Sequence, residues 1–303
     1  MPRVLHTAQA LVDIIVEVDA LPERGGNTNA RSEQRYAGGA TTILISAART
    51  GASAVHGGAH GTGPNGDLIR AALERDGVLI ADTPRTSADT GYCLVMLEPT
   101  AERTFLTVYG AERDVTAESF ARLDPQPGDL LCVSGYTLFE PTREPLLQFL
   151  DTLPPGVEVV LDPGDAFAQF PRELQDRVLS RTTVWTSNAH EARAVSGIDA
   201  LVDTPLALRR RMAPRSVIIV RDGSRGCLVF HHGRGTHIPA FPQRAVDTNG
   251  AGDTHTGVML AERALGADWE SAATRANAAA AIAVTRRGPE SAPTRAEVDE
   301  FLA

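Results

Sequence analysis

The sequence predicts an α/β fold in which a mostly parallel sheet is covered by helices on both faces. Extended apolar runs such as DLLCVSG, VEVVLD and TVWTSN alternate with helical runs such as REPLLQFLDTL and FPRELQDRVL. Strands without a polar face, separated by helices, are typical of parallel sheets that are buried on both sides. The chain has 303 residues, 43% of them hydrophobic, which is enough for one large domain with a substantial core.

The same alternation extends toward both termini. Before this centre lie the extended run LVDIIVEV, a helix after the glycines of GGATTILISAARTG, the run SAVHGGA and a helix over DLIRAALERDG. After it lie a helix beginning HEARAVSG and the runs SVIIVRD and GCLVFHHG. We find no internal repeat, low-complexity segment or long linker between these elements. We therefore expect residues 1–303 to form a single domain.

Two segments, at about residues 13–36 and 89–109, lack intervening helices. Both contain extended runs joined by polar turns, as in TGYCLVMLEPTAERTFLTVYG. They predict a small β-rich lid that projects from the main sheet. Because exposed strand edges can pair with a second copy, a homodimer through the lid is a further expectation.

Composition and charge favour a protein that binds small molecules. The net charge is −9, from 29 basic and 38 acidic residues, and every basic residue is an arginine. Since no basic block is present, we expect no nucleic-acid partner and no membrane partner. The sequence shows no signal-peptide pattern and no apolar run of about 18 residues, so a cytoplasmic protein is expected. Cys93, Cys132 and Cys227 lie in apolar runs and should be buried thiols.

One motif favours a different function. The segment GTGPNG, residues 61–66, has the spacing of a dinucleotide-binding loop, lies between an extended run and a helix, and is followed by an acid, Asp82, at a plausible distance. Against this interpretation, Pro64 lies inside the loop, and Gly57 and Gly58 lie in the run before it. A tight strand-to-helix turn would need the same glycines. An NAD(P)-binding oxidoreductase therefore remains an alternative.

The segment DTNGAGDTHTG, which begins at Asp247, has the composition of an anion-binding helix start. Gly250, Ala251 and Gly252 have side chains too small to shield their backbone N–H groups, and a helix-like run follows them. The helix dipole would favour an anion at the same place. Asp253 could then accept a proton from a hydroxyl that attacks a bound phosphoryl group. Alternatively, Asp253 is a first-turn helix acid and Asp247 a turn former.

Five further motifs accompany this segment along the chain. They are a short strand with Asp13, AGGATT at residues 37–42, TSNAHEARAVSG at 186–197, RDGSRG at 221–226, and RANAAAAIAVTRRGPESAPTRAEV at 275–298. Together with VDTNGAGDTHTG, which is similar to the C-terminal signature of the family, they resemble the ribokinase, or PfkB, family of carbohydrate and nucleoside kinases. The resemblance covers nearly the whole chain and implies a ribokinase-like α/β fold with a β-rich lid.

The resemblance implies ATP-dependent phosphorylation of a sugar or sugar-like alcohol, with ATP and Mg²⁺ as cofactors. Asp253 would be the catalytic base, and the amides of the three small residues before it would form the anion hole for the transferred phosphoryl group. Asn188 and Glu191 match an N-x-x-E element that helps to hold Mg²⁺ and its waters near the nucleotide phosphates. Taken alone, Asn188 is equally compatible with an ordinary helix cap.

Besides Asn188, four residues are implied for the nucleotide site. Gly223 and Gly226, between SVIIV and CLVF, resemble the nucleotide-side loop of the family, or they form a plain hairpin turn. Arg221 stands where many family members carry a threonine, and it could supply positive charge instead. Asn277 matches a position that lines the adenine pocket, or it is a surface residue of a helix.

Four residues are implied for the acceptor site. Asp13 is a lone carboxylate in an apolar strand pattern, which is costly unless it is paired or faces a polar pocket, and it resembles the sugar-hydroxyl aspartate of the family. Gly38 and Gly39 would let the backbone approach a ligand closely. Glu140 in GYTLFEP would add a hydroxyl contact, or it is an exposed loop acid.

A monovalent cation site, with K⁺ as the cation, is also implied by the resemblance. Its ligands would be the Asp247 side chain, Ser291, and backbone carbonyls near the following residues: Asn249, Ala283, Arg286 and Gly288.

Two positions depart from the family pattern besides Arg221. Ile43 stands where sugar kinases often carry an asparagine. His255 stands where an aromatic residue is more usual; alternatively, it is an ordinary histidine on the surface of a helix. These departures keep a nucleoside kinase and a phosphosugar kinase of the same fold open as alternatives, together with a non-catalytic sugar-binding protein. A phosphosugar kinase would need arginines near the acceptor, for which the predicted lid offers Arg24, Arg31, Arg35 and Arg103.

Overall fold

The computed structural model describes residues 1–85, 87–100, 102–288 and 291–303. These residues form thirteen strands and ten α-helices, numbered in chain order. The strands are β1 (Val4–His6), β2 (Ala10–Val18), β3 (Ala30–Gly39), β4 (Ala54–His56), β5 (Leu79–Ile80), β6 (Tyr92–Leu97), β7 (Arg103–Val108), β8 (Leu130–Ser134), β9 (Glu158–Asp162), β10 (Val184–Asn188), β11 (Val217–Arg221), β12 (Cys227–His231) and β13 (Arg234–Ile238). The helices are α1 (Ala40–Thr50), α2 (Pro64–Arg75), α3 (Ala117–Ala121), α4 (Arg143–Asp151), α5 (Arg172–Leu179), α6 (Ala189–Ser196), α7 (Thr204–Arg209), α8 (Ala251–Ala264), α9 (Trp269–Ala283) and α10 (Arg295–Leu302).

A nine-stranded sheet forms the centre of the fold, in the order β13-β12-β11-β10-β9-β8-β1-β4-β5. The seven strands from β11 to β5 are parallel, whereas β12 and β13 extend the sheet antiparallel at one edge. The predicted mostly parallel sheet is therefore confirmed. Asp162 pairs with Ser134, and Arg221 pairs with Asn188, so the carboxyl ends of β8 to β11 meet at one edge. Ligand sites of such sheets lie at this edge.

Helices cover both faces of this sheet, as predicted. In β1, Val4 packs into the core formed with α1, α2, α8, α9 and α10, whereas the next residue, Leu5, packs into the core formed with α3 to α7. Because both faces are buried, the central strands have no polar side and read as continuous apolar runs. Cys93, Cys132 and Cys227 are free and buried, as expected. No helix among the described residues is long and apolar enough to cross a membrane.

The first strand of the large sheet differs from the expectation. The run LVDIIVEV, expected to begin the alternation, lies in β2 and belongs to a second sheet. Its place beside β4 and β8 is taken by β1, which has only three residues. Three residues are too few to show a hydrophobic period, so the sequence pattern could not identify this strand.

The second sheet has four strands in the order β3-β2-β6-β7. Its strands overlap both segments of the predicted lid, of which residue 101 lies outside the described residues. Since side chains alternate across a sheet, the observed register places Asp13, Tyr36 and Arg103 on one face. The edge strand β7 exposes Phe105 and Leu106. Closure of this sheet as a lid and a homodimer through its edge stay predictions.

A close contact between α1 and α8 positions the start of α8. A Cβ atom added at Gly257 of α8 would lie 2.2 Å from the carbonyl oxygen of Ile43 and 2.7 Å from Cβ of Ser46, both in α1. Real Cβ atoms do not approach backbone atoms so closely. The crossing of these two helices therefore requires glycine at residue 257.

We expect Gly257→Val to lower the free energy of unfolding by about 1–3 kcal/mol, because the new side chain must displace the backbone of α1. Denaturant unfolding would measure the change. Gly235→Ala is the matched control, since a Cβ atom there would meet Leu228 at an ordinary 3.4 Å. Equal effects of the two substitutions would contradict a close contact between the helices.

Candidate active site

Polar side chains meet where the parallel strands of the large sheet end. Asp162 ends β9, Asn188 ends β10 and Arg221 ends β11. The Arg221 guanidinium lies 3.6 Å from the Asp162 carboxylate, and a Cβ atom at Gly252 in α8 would lie 3.5 Å from the same guanidinium. The sheet edge and the start of α8 therefore form one site.

The start of α8 has the features of an anion-binding helix terminus. Gly250 precedes the helix with a φ of 72°, a left-handed conformation that favours glycine. The first amides of a helix have no intrahelical acceptor, and the helix dipole favours an anion there. The amide of Ala251 donates weakly to the carbonyl of Thr248, at 3.4 Å. The anion hole expected from Gly250, Ala251 and Gly252 stays a prediction, and the amides of Gly252 and Asp253, further into the first turn, are better placed than that of Ala251 to bind an anion.

Asp253 carries a carboxyl group that titrates near neutral pH. Burial raises its pKa to about 7, the charges of Asp162, Asp13 and Glu191 add to the effect, and Arg221 opposes it. A carboxyl with such a pKa can take up and release a proton at neutral pH, as a general base must. The influence of Asp13 also shows that the second sheet brings this residue within electrostatic reach of α8.

Arg221 is held by three side chains that the sequence reasoning did not identify. Its Nη1 donates to the hydroxyls of Thr186, at 2.7 Å, and Thr256, at 2.8 Å, and its Nη2 approaches Asp162. The side chain is only 14% exposed. It therefore provides a fixed positive charge beside Gly252. For Asp162 a signal was available, because it ends the apolar run VEVVLD, where a parallel sheet places its ligand site.

Asn188 and Glu191 form a reciprocal capping box at the start of α6. Oδ1 of Asn188 accepts from the Glu191 amide, and Oε2 of Glu191 accepts from the Asn188 amide, each at 2.9 Å. This is the helix cap that the sequence left open as an alternative. Burial, followed by the charge of Asp162, raises the pKa of Glu191 to about 7. A role of these residues at Mg²⁺ stays a prediction.

A cavity of about 440 Å³ adjoins the start of α8. Residues from five parts of the chain line it, among them Gly223, Gly226, Gly252, His255 and Asn277. Its volume is in the range of small-molecule sites. The turn with Gly223 and Gly226 joins β11 to the antiparallel strand β12, so it is a hairpin turn that also lines this cavity.

Two polar residues of this cavity are buried, so the surface alternatives were wrong for both. Asn277 is 6% exposed and donates to the carbonyls of Ile238, at 3.1 Å, and Pro239, at 3.0 Å. His255 is 2% exposed, and burial, followed by the charge of Arg221, lowers its pKa to about 3, while the nearby side chain of Asn277 acts in the opposite direction. Neither ring nitrogen of His255 has a hydrogen-bond partner among the described residues. A neutral imidazole therefore lines the cavity.

Two residues predicted for the acceptor lie in direct contact. A Cβ atom at Gly38 would lie 2.4 Å from Oδ2 of Asp13, and burial raises the pKa of Asp13 to about 6. Gly39, with a φ of 63°, precedes α1 and serves the turn into this helix. Glu140 has a largely exposed side chain that pairs with Arg143. Its contact with an acceptor stays a prediction.

The residues proposed for a monovalent cation are bonded to one another. Oδ1 of Asp247 accepts from the Asn249 amide, at 2.9 Å, and from Arg103 of β7, at 2.7 Å, while Oδ2 accepts from the Gly288 amide, at 3.0 Å. The Ser291 amide donates to the Gly288 carbonyl, at 3.3 Å, the Arg286 amide donates to the Ala283 carbonyl, at 3.0 Å, and Nη1 of Arg286 donates to the Ser291 carbonyl, at 3.5 Å.

The loop GTGPNG forms a strand-to-helix turn whose helix end is already occupied. Helix α2 begins at Pro64, and the amides of Asn65 and Gly66 donate to the carboxylate of Asp89, each at 2.9 Å. A dinucleotide would place its pyrophosphate at these amides. The arrangement therefore favours the turn over a dinucleotide loop.

Comparison with known proteins decides the family. The family model described as "pfkB family carbohydrate kinase" matches residues 1–295. The chain belongs to this family. The uncharacterized sugar kinase YegV of Escherichia coli (strain K12) is 33% identical, over 97% of this chain and 92% of its own. The ribokinase of Bacillus subtilis (strain 168) is 27% identical, over 96% of each chain.

A solved structure supports the same fold. The structure of Arabidopsis thaliana ribokinase complexed with ribose and ATP aligns with a TM-score of 0.81 and 23% identity, covering 99% of this chain and 98% of that one. The ribokinase-like fold implied by the sequence motifs is thereby confirmed, and the protein is a carbohydrate kinase.

In this carbohydrate kinase, we expect Gly38→Ala to raise the KM for the acceptor by about tenfold or more, because the methyl group would displace the Asp13 carboxylate. The KM for ATP should change little. Steady-state kinetics with both substrates would measure the effect, with Gly235→Ala in β13 as the control. An unchanged KM for the acceptor would mean that Asp13 does not bind it.

The raised pKa of Asp253 predicts a pH-dependent effect on stability. Since its folded-state pKa, about 7, lies above its ordinary value of 3.8, the stability that Asp253 provides is complete at low pH and is lost as the pH rises through 7. Asp253→Asn cannot ionise and should be more stable than the wild type at pH 8, by about 1–3 kcal/mol, with little difference at pH 4.

Denaturant unfolding at the two pH values would test this. Asp89→Asn is a control for which the opposite change in stability is expected. Burial alone would raise the pKa of Asp89, but hydrogen bonds from several backbone amides together outweigh it and lower the pKa. This variant should be less stable than the wild type at pH 8. If Asp253→Asn showed the same stability difference at both pH values, the carboxyl would not be perturbed as described.

Proposed function

We propose that this carbohydrate kinase transfers the terminal phosphoryl group of ATP to a hydroxyl of an unphosphorylated sugar or sugar-like alcohol. One observation carries the proposal: Asp253, with a pKa of about 7, lies in the first turn of α8 beside amides that can bind an anion. The cavity of about 440 Å³ adjoins this turn. Asp13 of the second sheet is close enough to raise the pKa of Asp253.

In the proposed mechanism, Asp253 acts as the general base. As the acceptor oxygen bonds to phosphorus, its proton moves to a carboxylate oxygen of Asp253, and the bond between phosphorus and the ADP oxygen breaks. The amides of Gly252 and Asp253 and the Arg221 guanidinium stabilise the negative charge on the transferred group. These donors are in position before the reaction, so they need no reorganisation. Asp13 orients the acceptor by binding its hydroxyls.

The cavity beside α8 would hold the nucleotide. Gly223 and Gly226 let the nucleotide approach the hairpin backbone, and Asn277 is one of the α9 residues that line the cavity. His255 has two ring nitrogens without partners among the residues described, so it could bond to the base or the ribose of the nucleotide. These contacts would orient the phosphates toward the start of α8.

Magnesium fits the charge of the site. Burial raises the pKa of Asp162, Glu191 and Asp253, and a divalent cation would favour their ionised forms. Within the described parts of the chain, no three His, Cys, Asp or Glu side chains are placed to bind a metal ion directly. Glu191 and Asn188 would therefore hold Mg²⁺ through waters, with phosphate oxygens completing its coordination. When bound, Mg²⁺ neutralises charge on the phosphates.

The arginines of the second sheet favour an acceptor without a phosphate group. Arg31, Arg35 and Arg103 each pair with a carboxylate of the chain. Only the pair of Arg103 is shielded from water, and it commits that charge to Asp247, whereas Arg31 and Arg35 lie in exposed pairs. Ile43 packs into the hydrophobic core and offers no polar contact to a sugar. The acceptor panel should therefore extend beyond ribose and fructose.

The test is ADP release from ATP and Mg²⁺ with ribose, fructose, other ketoses, deoxy-gluconates, nucleosides and hexose phosphates as acceptors. We expect turnover with an unphosphorylated polyol, and Asp253→Asn should lower kcat by about 10²- to 10⁴-fold, since it removes the base. Asp67→Asn is the matched control, because Asp67 is also a first-turn helix acid but is exposed and pairs with Arg70.

Three results would count against the proposal. Turnover that survives in Asp253→Asn would exclude Asp253 as the base. A preference for hexose phosphates would overturn the unphosphorylated acceptor but not the kinase reaction. Binding of NAD(P)H, seen as a change in its fluorescence, with no acceptor-dependent release of ADP would favour an oxidoreductase.

A further inference from the structure

An arginine of the second sheet contacts the loop that leads into α8. Arg103 is the first residue of β7, and its Nη2 donates to Oδ1 of Asp247 at 2.7 Å. The two side chains are 22% and 14% exposed, so water and salt screen this ion pair less than a surface pair. Asp247 lies three residues before Gly250, at which α8 is capped.

The other acceptor positions of Asp247 are largely used within the chain. Besides Arg103, the amides of Asn249 and Gly288 donate to its carboxylate, at 2.9 and 3.0 Å. A carboxylate has about four lone-pair positions, so little capacity remains. A monovalent cation here would also be repelled by the Arg103 guanidinium. The carboxylate that the family resemblance assigns to a monovalent cation does not fit one in this arrangement.

Two further contacts hold the second sheet against the same region. A Cβ atom at Gly288 would lie 2.6 Å from the ring of Tyr36, so this ring packs directly on the glycine. Arg287 pairs with Glu17 of β2, at 2.8 Å. Tyr36, Glu17 and Arg103 lie on the face of the second sheet that also carries Asp13. Arg103 is therefore part of an extended docking contact.

We propose that the Arg103 guanidinium takes the place of a monovalent cation at Asp247, so that the kinase needs no K⁺. A cation at this carboxylate would neutralise its charge and hold the loop before α8. The guanidinium does both, and it forms a directional hydrogen bond, which a simple ion does not. Arg103 and Asp13 belong to one sheet. Docking of that sheet therefore brings Asp13, which would bind the acceptor, and the positive charge of Arg103 to the site together.

The first experiment measures phosphoryl transfer in KCl and in tetramethylammonium chloride at equal ionic strength, and this readout rests on the proposed function. The wild type should have the same rate in both salts. Arg103→Met should lose about tenfold or more in tetramethylammonium, because it leaves the shielded Asp247 carboxylate without a positive charge beside it, and should regain activity in K⁺. Arg35→Met is the matched control, since Arg35 lies on the opposite face of the sheet, and it should behave as the wild type.

The second experiment needs no turnover, so it still decides the inference if no acceptor is found and the proposed function fails. The thermal unfolding temperature of the wild type should be the same in the two salts. That of Arg103→Met should be higher in KCl than in tetramethylammonium chloride. Adding Asp247→Asn to this variant should abolish the response to K⁺, because the carboxylate that would bind the ion is gone.

A wild type that requires K⁺ for activity or is stabilised by it would overturn the inference. So would an Arg103→Met variant that behaves as the wild type in both salts. If Arg103→Met does not fold, Arg103→Gln takes its place, because it keeps a hydrogen-bond donor while it removes the charge. The same response to K⁺ is expected of it.

Discussion

Three buried carboxyl groups lie where the carboxyl ends of the parallel strands meet, and the free energy of ionising them together constrains which ligands this site can bind. Burial raises the pKa of Asp162, Glu191 and Asp253, and Arg221 acts on each of them in the opposite direction. Carboxylates so close to one another make each other's ionisation less favourable. They remain together because the strands and helices that carry them are packed on both faces of the sheet. Such a site is suited to a ligand that brings positive charge with its phosphates, as a metal-bound nucleotide does.

Close contacts at two glycines set the position of Asp13 relative to the start of α8. Gly38 leaves room for the Asp13 carboxylate, and Gly257 lets α8 lie against Ile43 of α1. Helix α1 begins directly after Gly39, so one rigid element joins both contacts. The distance between Asp13 and Asp253 therefore depends on packing at positions that carry no side chain, and not on any direct bond between the two acids.

Much of the fold could be read from local pattern, whereas several site residues could not. Alternating apolar and helical runs predicted the parallel sheet, because burial on both faces leaves no polar side to a strand. Asn277 and His255 were open to a surface interpretation, since both lie on alanine- and glycine-rich helices that show little amphipathic pattern. Their burial results from packing of α8 against α9, and of α9 against β12 and β13.

By itself, the sequence determined the elements whose causes lie within a few residues: the glycine–alanine run before α8, the capping pair of Asn188 and Glu191, and the order of motifs that indicates a kinase. Only the tertiary structure decided which charges meet. Arg103 and Asp247 are separated by 144 residues, and Arg221 and Thr186 by 35. Backbone preference and hydrophobic period act over one or two turns of chain, whereas electrostatic interaction depends on distance in space and on the exclusion of water.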